Sequence, residues 1–275
     1  MNLSGRTIFV SGGSRGIGLA IARRAARDGA NVAIAAKTVE ANPKLPGTIH
    51  TAAAEIEQAG GKALALACDI RNEEQVTSAV RQTAETFGGI DILINNASAI
   101  SLTGTEATPV KRFDLMMGVN GRGTFVCTQA CLPYLKTSAE RKRNPHVLTL
   151  APPLNLDPRW FAPHVAYTMA KYCMSMCVIG HAAEFRSYGI AVNALWPRTV
   201  IDTAALKMIP GVKPEHCRDP EIMADAAYQV LISDAASTTG NFFIDDEVLR
   251  QAGISDLSKY SVVAGSTQLV PDLFL

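Results

Sequence analysis

The chain has 275 residues, of which 48% are hydrophobic and 19% are charged. This length and balance predict one large α/β domain, residues 1–275, and argue against a disordered chain. The formal net charge of +1 gives no reason to expect nucleic acid as a partner. No apolar run reaches the length of a membrane span, and no signal-peptide pattern opens the chain, so we expect a cytoplasmic protein without a membrane anchor.

Four of the six cysteines form two pairs with helical spacing, Cys127 with Cys131 and Cys173 with Cys177. That spacing puts each pair on one face of a helix, where reduced, buried thiols are a far commoner arrangement than metal ligands. We therefore predict no metal site.

Short β-rich runs alternate with longer helical patterns as far as about residue 245, which is typical of repeated βαβ units. Most of the predicted strands are continuous apolar runs, as expected where helices cover both faces of a sheet. The strands are predicted at Thr7–Val10, Val32–Ala36, Ala63–Ala67, Ile90–Ile94, Val147–Leu150, Ile190–Leu195 and Phe242–Ile244. The helices are predicted at Ile17–Asp28, Ile49–Gln58, Glu73–Phe87, Val110–Leu135, Tyr167–Tyr188 and Pro220–Ile232.

This alternation predicts an α/β fold of the Rossmann type, a doubly wound parallel sheet of about seven strands with helices on both faces. Two irregular segments, residues 152–163 and 197–216, leave the carboxyl ends of strands, where such sheets bind ligands, so we expect them to form pocket walls. A C-terminal tail from about residue 246 is expected to cover the substrate pocket or to reach a neighbouring subunit.

A glycine-rich turn follows the first predicted strand and opens a helix. Gly12 permits a tight turn, Gly16 lets the backbone approach a pyrophosphate, and Gly18 allows the helix to pack closely on the strand. The helix N-terminus adds free N–H groups and a partial positive charge. We therefore predict a dinucleotide site here, formed by Gly12, Ser14, Arg15, Gly16, Ile17 and Gly18.

The residue after the second strand favours one form of the cofactor. An NAD-binding protein usually places a carboxylate there for the ribose hydroxyls, whereas this chain has Lys37. Lys37 and Arg15 can both pair with a 2′-phosphate, which favours NADP(H) over NAD. The alternative interpretation is that both are solvated cations.

Polar residues also follow the third and fourth strands. Asp69, followed by Ile70, is placed to accept a hydrogen bond from the adenine amino group, and the small residues around Asn96 and Ala97 let backbone lie near the adenosine. Either motif could instead cap a turn, as such residues commonly do.

Tyr167 and Lys171 are four residues apart and therefore lie on one helical face. A nearby cation favours phenolate and lowers the tyrosine pKa, which would let Tyr167 exchange a proton with an alcohol or carbonyl oxygen. The pair is common by chance, but here it follows a glycine turn, an Asn-Asn-Ala motif at residues 95–97, and Asn120.

In that order, the motifs resemble the short-chain dehydrogenase/reductase family along nearly the whole chain. The stretches at residues 36–38, 96–101, 152–156 and 194–197 look like its hydroxysteroid dehydrogenase-like subgroup, some of whose members carry an added sterol-carrier domain that we expect this chain to lack. The resemblance implies that Tyr167 donates or accepts the proton, that Lys171 binds the nicotinamide ribose, and that Asn120 holds a water in a proton relay.

The same resemblance implies that Pro197 and Thr199 lie against the nicotinamide, although Arg198 stands where the family usually has glycine. It also implies a homodimer or homotetramer in which long helices pair, through an apolar face to which we assign Cys127, Cys131, Met174 and Cys177.

The chain departs from the family at the catalytic serine, which normally polarises the substrate oxygen from the loop after the fifth strand. Its place falls on Ala151, Pro152 or Leu154, and residues 150–166 contain no serine or threonine. The side chains left to supply a polar group are those of Asn155, Asp157 and His164. Loss of one oxyanion donor typically costs on the order of a hundredfold in turnover.

We therefore predict an NADP(H)-dependent oxidoreductase acting on the carbonyl or alcohol of an apolar small molecule, such as a steroid or a fatty-acyl derivative. The apolar preference rests on five side chains that could equally be core or subunit contacts, Leu154, Trp160, Phe161, Met208 and Ile209. The alternatives are an NADP(H)-binding protein with little or no catalysis and a methyltransferase-like protein with another adenosine ligand.

Overall fold

A computed structural model describes residues 1–42, 46–204, 206, 211–266 and 268–275. Within these residues a seven-stranded parallel sheet has the order β3-β2-β1-β4-β5-β6-β7, which confirms the predicted fold class. The strands are β1 Thr7–Ser11, β2 Asn31–Ala36, β3 Lys62–Ala67, β4 Ile92–Asn95, β5 His146–Thr149, β6 Ala191–Trp196 and β7 Phe242–Ile244.

Helices cover both faces of this sheet. Ile8 and Val10 of β1 pack into one hydrophobic cluster with side chains of the first, second and seventh helices, while Phe9 packs into a second cluster with the third, fifth and sixth. The helices are α1 Gly16–Ala26, α2 Ile49–Gln58, α3 Glu73–Phe87, α4 Val110–Met116, α5 Gly123–Glu140, α6 Val165–Phe185, α7 Glu221–Leu231 and α8 Asp245–Gln251. None of the helices in the described residues is long and apolar enough to cross a bilayer.

The prediction of a single helix at Val110–Leu135 is wrong, because the segment forms two α-helices, and the break between them lies at the site. A π-helical turn, Met117–Arg122, separates α4 from α5, and α5 continues through Pro133 to Glu140. A Cβ on Gly121 would lie 2.9 Å from the Cβ of Cys173, so the turn packs closely on α6. Turns of this kind often occur at functional sites, and this one holds Asn120 fully buried.

The end of the chain was predicted least well, because α8 follows β7 directly where we expected only a tail. The last residues then run antiparallel to the segment after β6. Thr199 forms a bridge with Pro271, and the N–H of Val200 donates to the carbonyl of Val270 over 2.9 Å. The tail therefore lies at the carboxyl edge of this chain's own sheet, which is the first of the two placements that we expected.

Candidate active site

Two adjoining cavities lie at the carboxyl edge of the sheet. The outer cavity, of about 440 Å³, lies beyond β1 to β4, and the inner cavity, of about 180 Å³, lies beyond β5 and β6. They share a boundary formed by Ile17, Asn96, Ser98 and Thr203. The predicted cofactor residues that line the outer cavity are Gly12, Ser14, Arg15, Gly16, Ile17, Lys37, Asp69, Ile70, Asn96 and Ala97.

The glycine turn is packed too tightly for side chains at two positions. Gly12 has a φ of +70°, and a Cβ there would lie 2.8 Å from the Cα of Ala97. A Cβ on Gly18 would lie 2.4 Å from the Nδ2 of Asn96, which donates to the carbonyls of Ser11 and Gly12 over 3.1 and 2.9 Å. The turn after β1 is thus fixed to the end of β4, and the N-terminus of α1 is left facing the outer cavity.

Cationic side chains lie where β2 reaches the outer cavity. Arg15 donates through Nη2 to the hydroxyl of Thr38 and to the carbonyl of Gly47, over 2.9 and 2.7 Å, while its Nε is buried without a hydrogen-bond partner. The ammonium of Lys37 is largely exposed and lies 3.9 Å from a carboxylate oxygen of Asp69. The unpaired N–H of Arg15 and the ammonium of Lys37 both belong to residues that line the outer cavity, so these residues suit the 2′-phosphate of a dinucleotide.

Asp69 also lines the outer cavity, but its carboxylate is engaged within the chain. The Nε of Arg71 donates to Oδ1 over 3.0 Å, and this hydrogen bond is the main cause of the lowered pKa of Asp69. The backbone N–H of Asp69 donates to the side chain of Gln75. The predicted hydrogen bond from adenine to Asp69 therefore stays a prediction.

Lys171 lies in the inner cavity, and its side chain is buried. Its ammonium donates to the carbonyl of Leu150 over 2.6 Å, lies 3.3 Å from the sulfur of Met174, and sits 4.8 Å from the ring centroid of Trp196. Burial lowers the pKa of Lys171 to about 7, and the neighbouring charge of Asp272 opposes that shift. The ammonium is therefore held by the ends of β5 and β6.

Tyr167 lies beside Lys171 in the same cavity, as the spacing predicts. Burial raises the pKa of its hydroxyl well above the usual range, and the negative charge of Asp272 acts in the same direction. The direction is opposite to the lowering that we predicted from Lys171, because burial is the main cause of the shift in the ligand-free chain. Tyr167 therefore holds its proton at neutral pH in the ligand-free chain.

Asn120 is brought next to this site by the π-helical turn. Its Oδ1 accepts from the N–H of Ala99 over 2.8 Å, and its Nδ2 donates to the carbonyl of the same residue over 3.0 Å. The side chain thereby fixes the loop after β4, part of which lines both cavities. The water relay that the resemblance implies for Asn120 is left as a prediction.

Comparison with known proteins places this geometry in a family. The model of the short-chain dehydrogenase family matches residues 6–210, which is most of the chain. The chain belongs to the short-chain dehydrogenase family. Hydroxysteroid dehydrogenase-like protein 2 from Xenopus tropicalis is 58% identical over 99% of this chain, and the chain spans 64% of the length of that protein.

Two solved structures of similar proteins cover the whole chain. A protein from Xanthomonas campestris is 63% identical with a TM-score of 0.96, and the match covers 99% of its chain. A short-chain dehydrogenase from Mycobacterium thermoresistibile is 52% identical with a TM-score of 0.92, over 96% of its chain. Family membership leaves the methyltransferase-like alternative without support.

The side chains that we considered for the missing serine of the short-chain dehydrogenase pattern are engaged elsewhere. Asn155 accepts from the N–H of Asp157 through Oδ1, over 3.0 Å, and Asp157 itself caps the short 3-10 turn that follows it. His164 is hydrogen bonded to Thr168 over 3.0 Å. None of these three is among the residues that line the inner cavity in the described part of the chain.

Only some residues of the two segments predicted as pocket walls, 152–163 and 197–216, lie at the site. Pro197 lines the inner cavity, whereas Thr199 is buried beside the tail with its hydroxyl unpaired. Trp160 and Phe161 pack against the cluster that contains Tyr167. Leu154 is partly exposed and makes no wall, and Met208 and Ile209 lie outside the described residues.

The tail contributes residues to the site that no local sequence pattern indicates. Asp272 and Leu273 line the inner cavity, and the indole N–H of Trp196 donates to the carbonyl of Leu273 over 2.9 Å. Phe274 is 1% exposed and adopts a φ of +75°. Its ring lies within 5.3 to 6.2 Å, centroid to centroid, of the rings of Trp160, His164, Tyr167, Tyr172 and Trp196.

The packing of the glycine turn generates a first prediction. Substituting Gly18→Ala puts a methyl group into the Asn96 side chain and the carbonyl of Gly12, so the turn must shift away from β4. We expect affinity for NADPH to fall by about tenfold or more, which corresponds to roughly 1.4 kcal/mol, in a fluorescence titration. Gly180→Ala, at an exposed position of α6 with no atom near its Cβ, is the matched control and should bind as the wild type does. Equal affinity for Gly18→Ala and wild type would contradict this reading of the turn.

Proposed function

We propose that the chain is an NADP(H)-dependent oxidoreductase that transfers a hydride to or from a carbonyl or alcohol carbon of an apolar small molecule. The observation that carries the proposal is that Tyr167 and Lys171 share an inner cavity that adjoins the larger outer cavity at the glycine turn. This supports the proposal because a proton donor has to lie next to the end of a cofactor site where the hydride is transferred.

The residues around the outer cavity suit a dinucleotide along its length. The N-terminus of α1 offers N–H groups and a partial positive charge to the pyrophosphate. Arg15, Lys37 and Thr38 supply donors for a 2′-phosphate, and no carboxylate stands at the end of β2 to repel it. When bound there, the cofactor supplies or accepts the hydride.

The side chains of the inner cavity handle the proton. In the reductive direction Tyr167, which is protonated at neutral pH, gives its proton to the carbonyl oxygen as the hydride reaches the carbon. Lys171 donates to the carbonyl of Leu150 and to the sulfur of Met174, which leaves one N–H group for a ribose hydroxyl or for the tyrosine oxygen.

The substrate class follows from the lining of the inner cavity. Apolar side chains dominate it, among them those of Ile100, Leu150, Trp196, Val200, Leu206 and Leu273. A volume of about 180 Å³ is below the roughly 300 Å³ of a typical ligand pocket. This favours a compact apolar carbonyl compound, and a steroid or a fatty-acyl chain requires the inner cavity to widen.

A second candidate function is NADP(H) binding with little or no turnover. It is favoured by the loop after β5, where Ala151 is buried and Asn155 and Asp157 are engaged elsewhere. The two candidates differ in turnover alone, since both require the outer cavity to bind the cofactor.

We also propose that residues 1–275 act as one domain in the cytoplasm and assemble as a homodimer or homotetramer. The free cysteines among the described residues agree with a reducing compartment. Three of the four residues that we assigned to the subunit face are wrong, because Cys127, Cys131 and Met174 are buried in the chain's own core, whereas Cys177 is partly exposed. An exposed apolar face on α5 and α6 is formed instead by Phe125, Met169, Met176 and Ile179.

The catalytic part of the proposal predicts that Tyr167→Phe abolishes turnover. A broad panel of ketones and aldehydes with NADPH should include a substrate, and we expect the variant to lower its kcat by about 10² to 10⁴ while NADPH binding is kept. Tyr188→Phe, at an exposed position in the 3-10 turn that follows α6, is the control. If the wild type binds NADPH tightly but turns over no member of the panel, the second candidate function stands.

The cofactor preference predicts that Lys37→Asp raises the KM for NADPH by about tenfold or more and that for NADH far less. The carboxylate would repel a 2′-phosphate and would accept from the ribose hydroxyls that NADH carries. Lys62→Asp, at the opposite end of the sheet, should change neither constant. Equal changes for the two cofactors in Lys37→Asp would remove the argument for NADP(H).

The assembly predicts that Met176→Glu together with Ile179→Glu shifts the chain from oligomer to monomer. Two charges would be buried without partners in the apolar face, whereas in a monomer both positions are in water. Light scattering at micromolar concentration measures the mass, and Val263→Glu, another exposed apolar position outside this face, is the control. A wild type that is already monomeric would contradict the assignment.

A further inference from the structure

Asp272 is fixed in the inner cavity although it comes from the end of the chain. Its backbone N–H donates to the carbonyl of Arg198 over 3.1 Å, and the next residue accepts from the indole of Trp196. Its side-chain Oδ1 accepts from the N–H of Leu273 over 2.6 Å. The tail therefore holds a carboxyl group at a defined place in the same cavity as Tyr167 and Lys171.

The position of Asp272 differs from those of the other polar side chains that line this cavity. Asn96, Ser98 and Thr203 also line the outer cavity, so they lie at its cofactor end. Asp272 lines only the inner cavity, where its neighbours are the apolar side chains of β6 and of the segment that follows β6. Among the described lining residues, it is the polar group on the substrate side besides Tyr167 and Lys171.

We propose that Asp272 is the residue that hydrogen bonds to the substrate oxygen, in place of the hydroxyl that the loop after β5 lacks. The inference rests on the proposed oxidoreductase function and adds a catalytic residue to it. A carboxylic acid has one O–H donor, as a serine hydroxyl has, and a buried acid that keeps its proton can polarise a carbonyl in the same way.

The surroundings of Asp272 favour that protonated form. Removal from water raises its pKa to about 7, and the charge of Asp245 adds to the shift, whereas the hydrogen bond from the N–H of Leu273 and the charge of Lys171 oppose it. Two further titratable groups interact with its charge: Tyr167, which lies on α6 with Lys171, and Cys217, which lies before α7. The acid form is therefore present below about pH 7 and is lost above it.

With this assignment, one proton is transferred in the reaction, and it comes from Tyr167. In reduction the hydride goes to the carbonyl carbon, Tyr167 transfers its proton to the oxygen, and the product is the alcohol. Asp272 donates a hydrogen bond to that oxygen and keeps its own proton. In the reverse direction the same protonated acid donates to the oxygen, while Tyr167, as phenolate, takes the proton of the alcohol and the hydride leaves the carbon.

The test compares Asp272→Ala and Asp272→Asn with the wild type, in the full chain, on the ketone or aldehyde of the panel that is reduced fastest. We expect Asp272→Ala to lower kcat by about a hundredfold, with the Tm and the Kd for NADPH unchanged. Asp272→Asn, whose amide donates at every pH, should restore most of that loss. The ratio of wild-type to alanine-variant kcat should fall as the pH rises through about 7, since the acid form is the donor.

The control is Asp114→Asn, an exposed carboxylate on α4, which should match the wild type. The proposal is overturned if Asp272→Ala keeps the wild-type kcat, or if alanine and asparagine lose activity and Tm to the same extent. It is also overturned if Ser98→Ala, at the cofactor end, causes the hundredfold loss instead. Absence of any Tyr167-dependent turnover in the wild type is a separate result, which removes the proposed function itself and this inference with it.

Discussion

The buried ammonium of Lys171 is the constraint on which the rest of the site depends. A charge removed from water is stable in a protein only when fixed partners replace its hydration. Here those partners are the carbonyl of Leu150 and the ring of Trp196. They come from the ends of β5 and β6, so one side chain on α6 requires two distant segments to be in place.

The sheet order brings those segments together. Because all seven strands in the described residues are parallel, their carboxyl ends share one edge, and the chain runs from β1 toward β3 on one side and from β4 toward β7 on the other. The glycine turn after β1 and the end of β4 meet where the order reverses, and Asn96 joins them. The π-helical turn then places Asn120 against the loop after β4. The cofactor end and the proton-transfer end are thus built by opposite halves of the sheet.

The features that the sequence predicts correctly are those with a local signal. Apolar runs between glycine stops located the seven strands to within a few residues, and the spacing of Tyr167 and Lys171 placed both in one cavity. The features that it missed depend on long-range packing. Helical spacing cannot say which face of α6 is buried, because the helix is apolar nearly all round, and so Met174 was assigned to the surface. The desolvation that raises the pKa of Tyr167, and the return of Asp272 to the cavity, are set by the folded chain alone.

The central claim is that the tail completes the site while the cofactor is bound. A crystal structure with NADP⁺ tests it most directly. We predict the 2′-phosphate against Arg15 and Lys37, the nicotinamide at the boundary of the two cavities beside Tyr167, and Asp272 still hydrogen bonded to the segment after β6. A structure in which the tail leaves the inner cavity on cofactor binding, so that Asp272 faces solvent, would contradict the account.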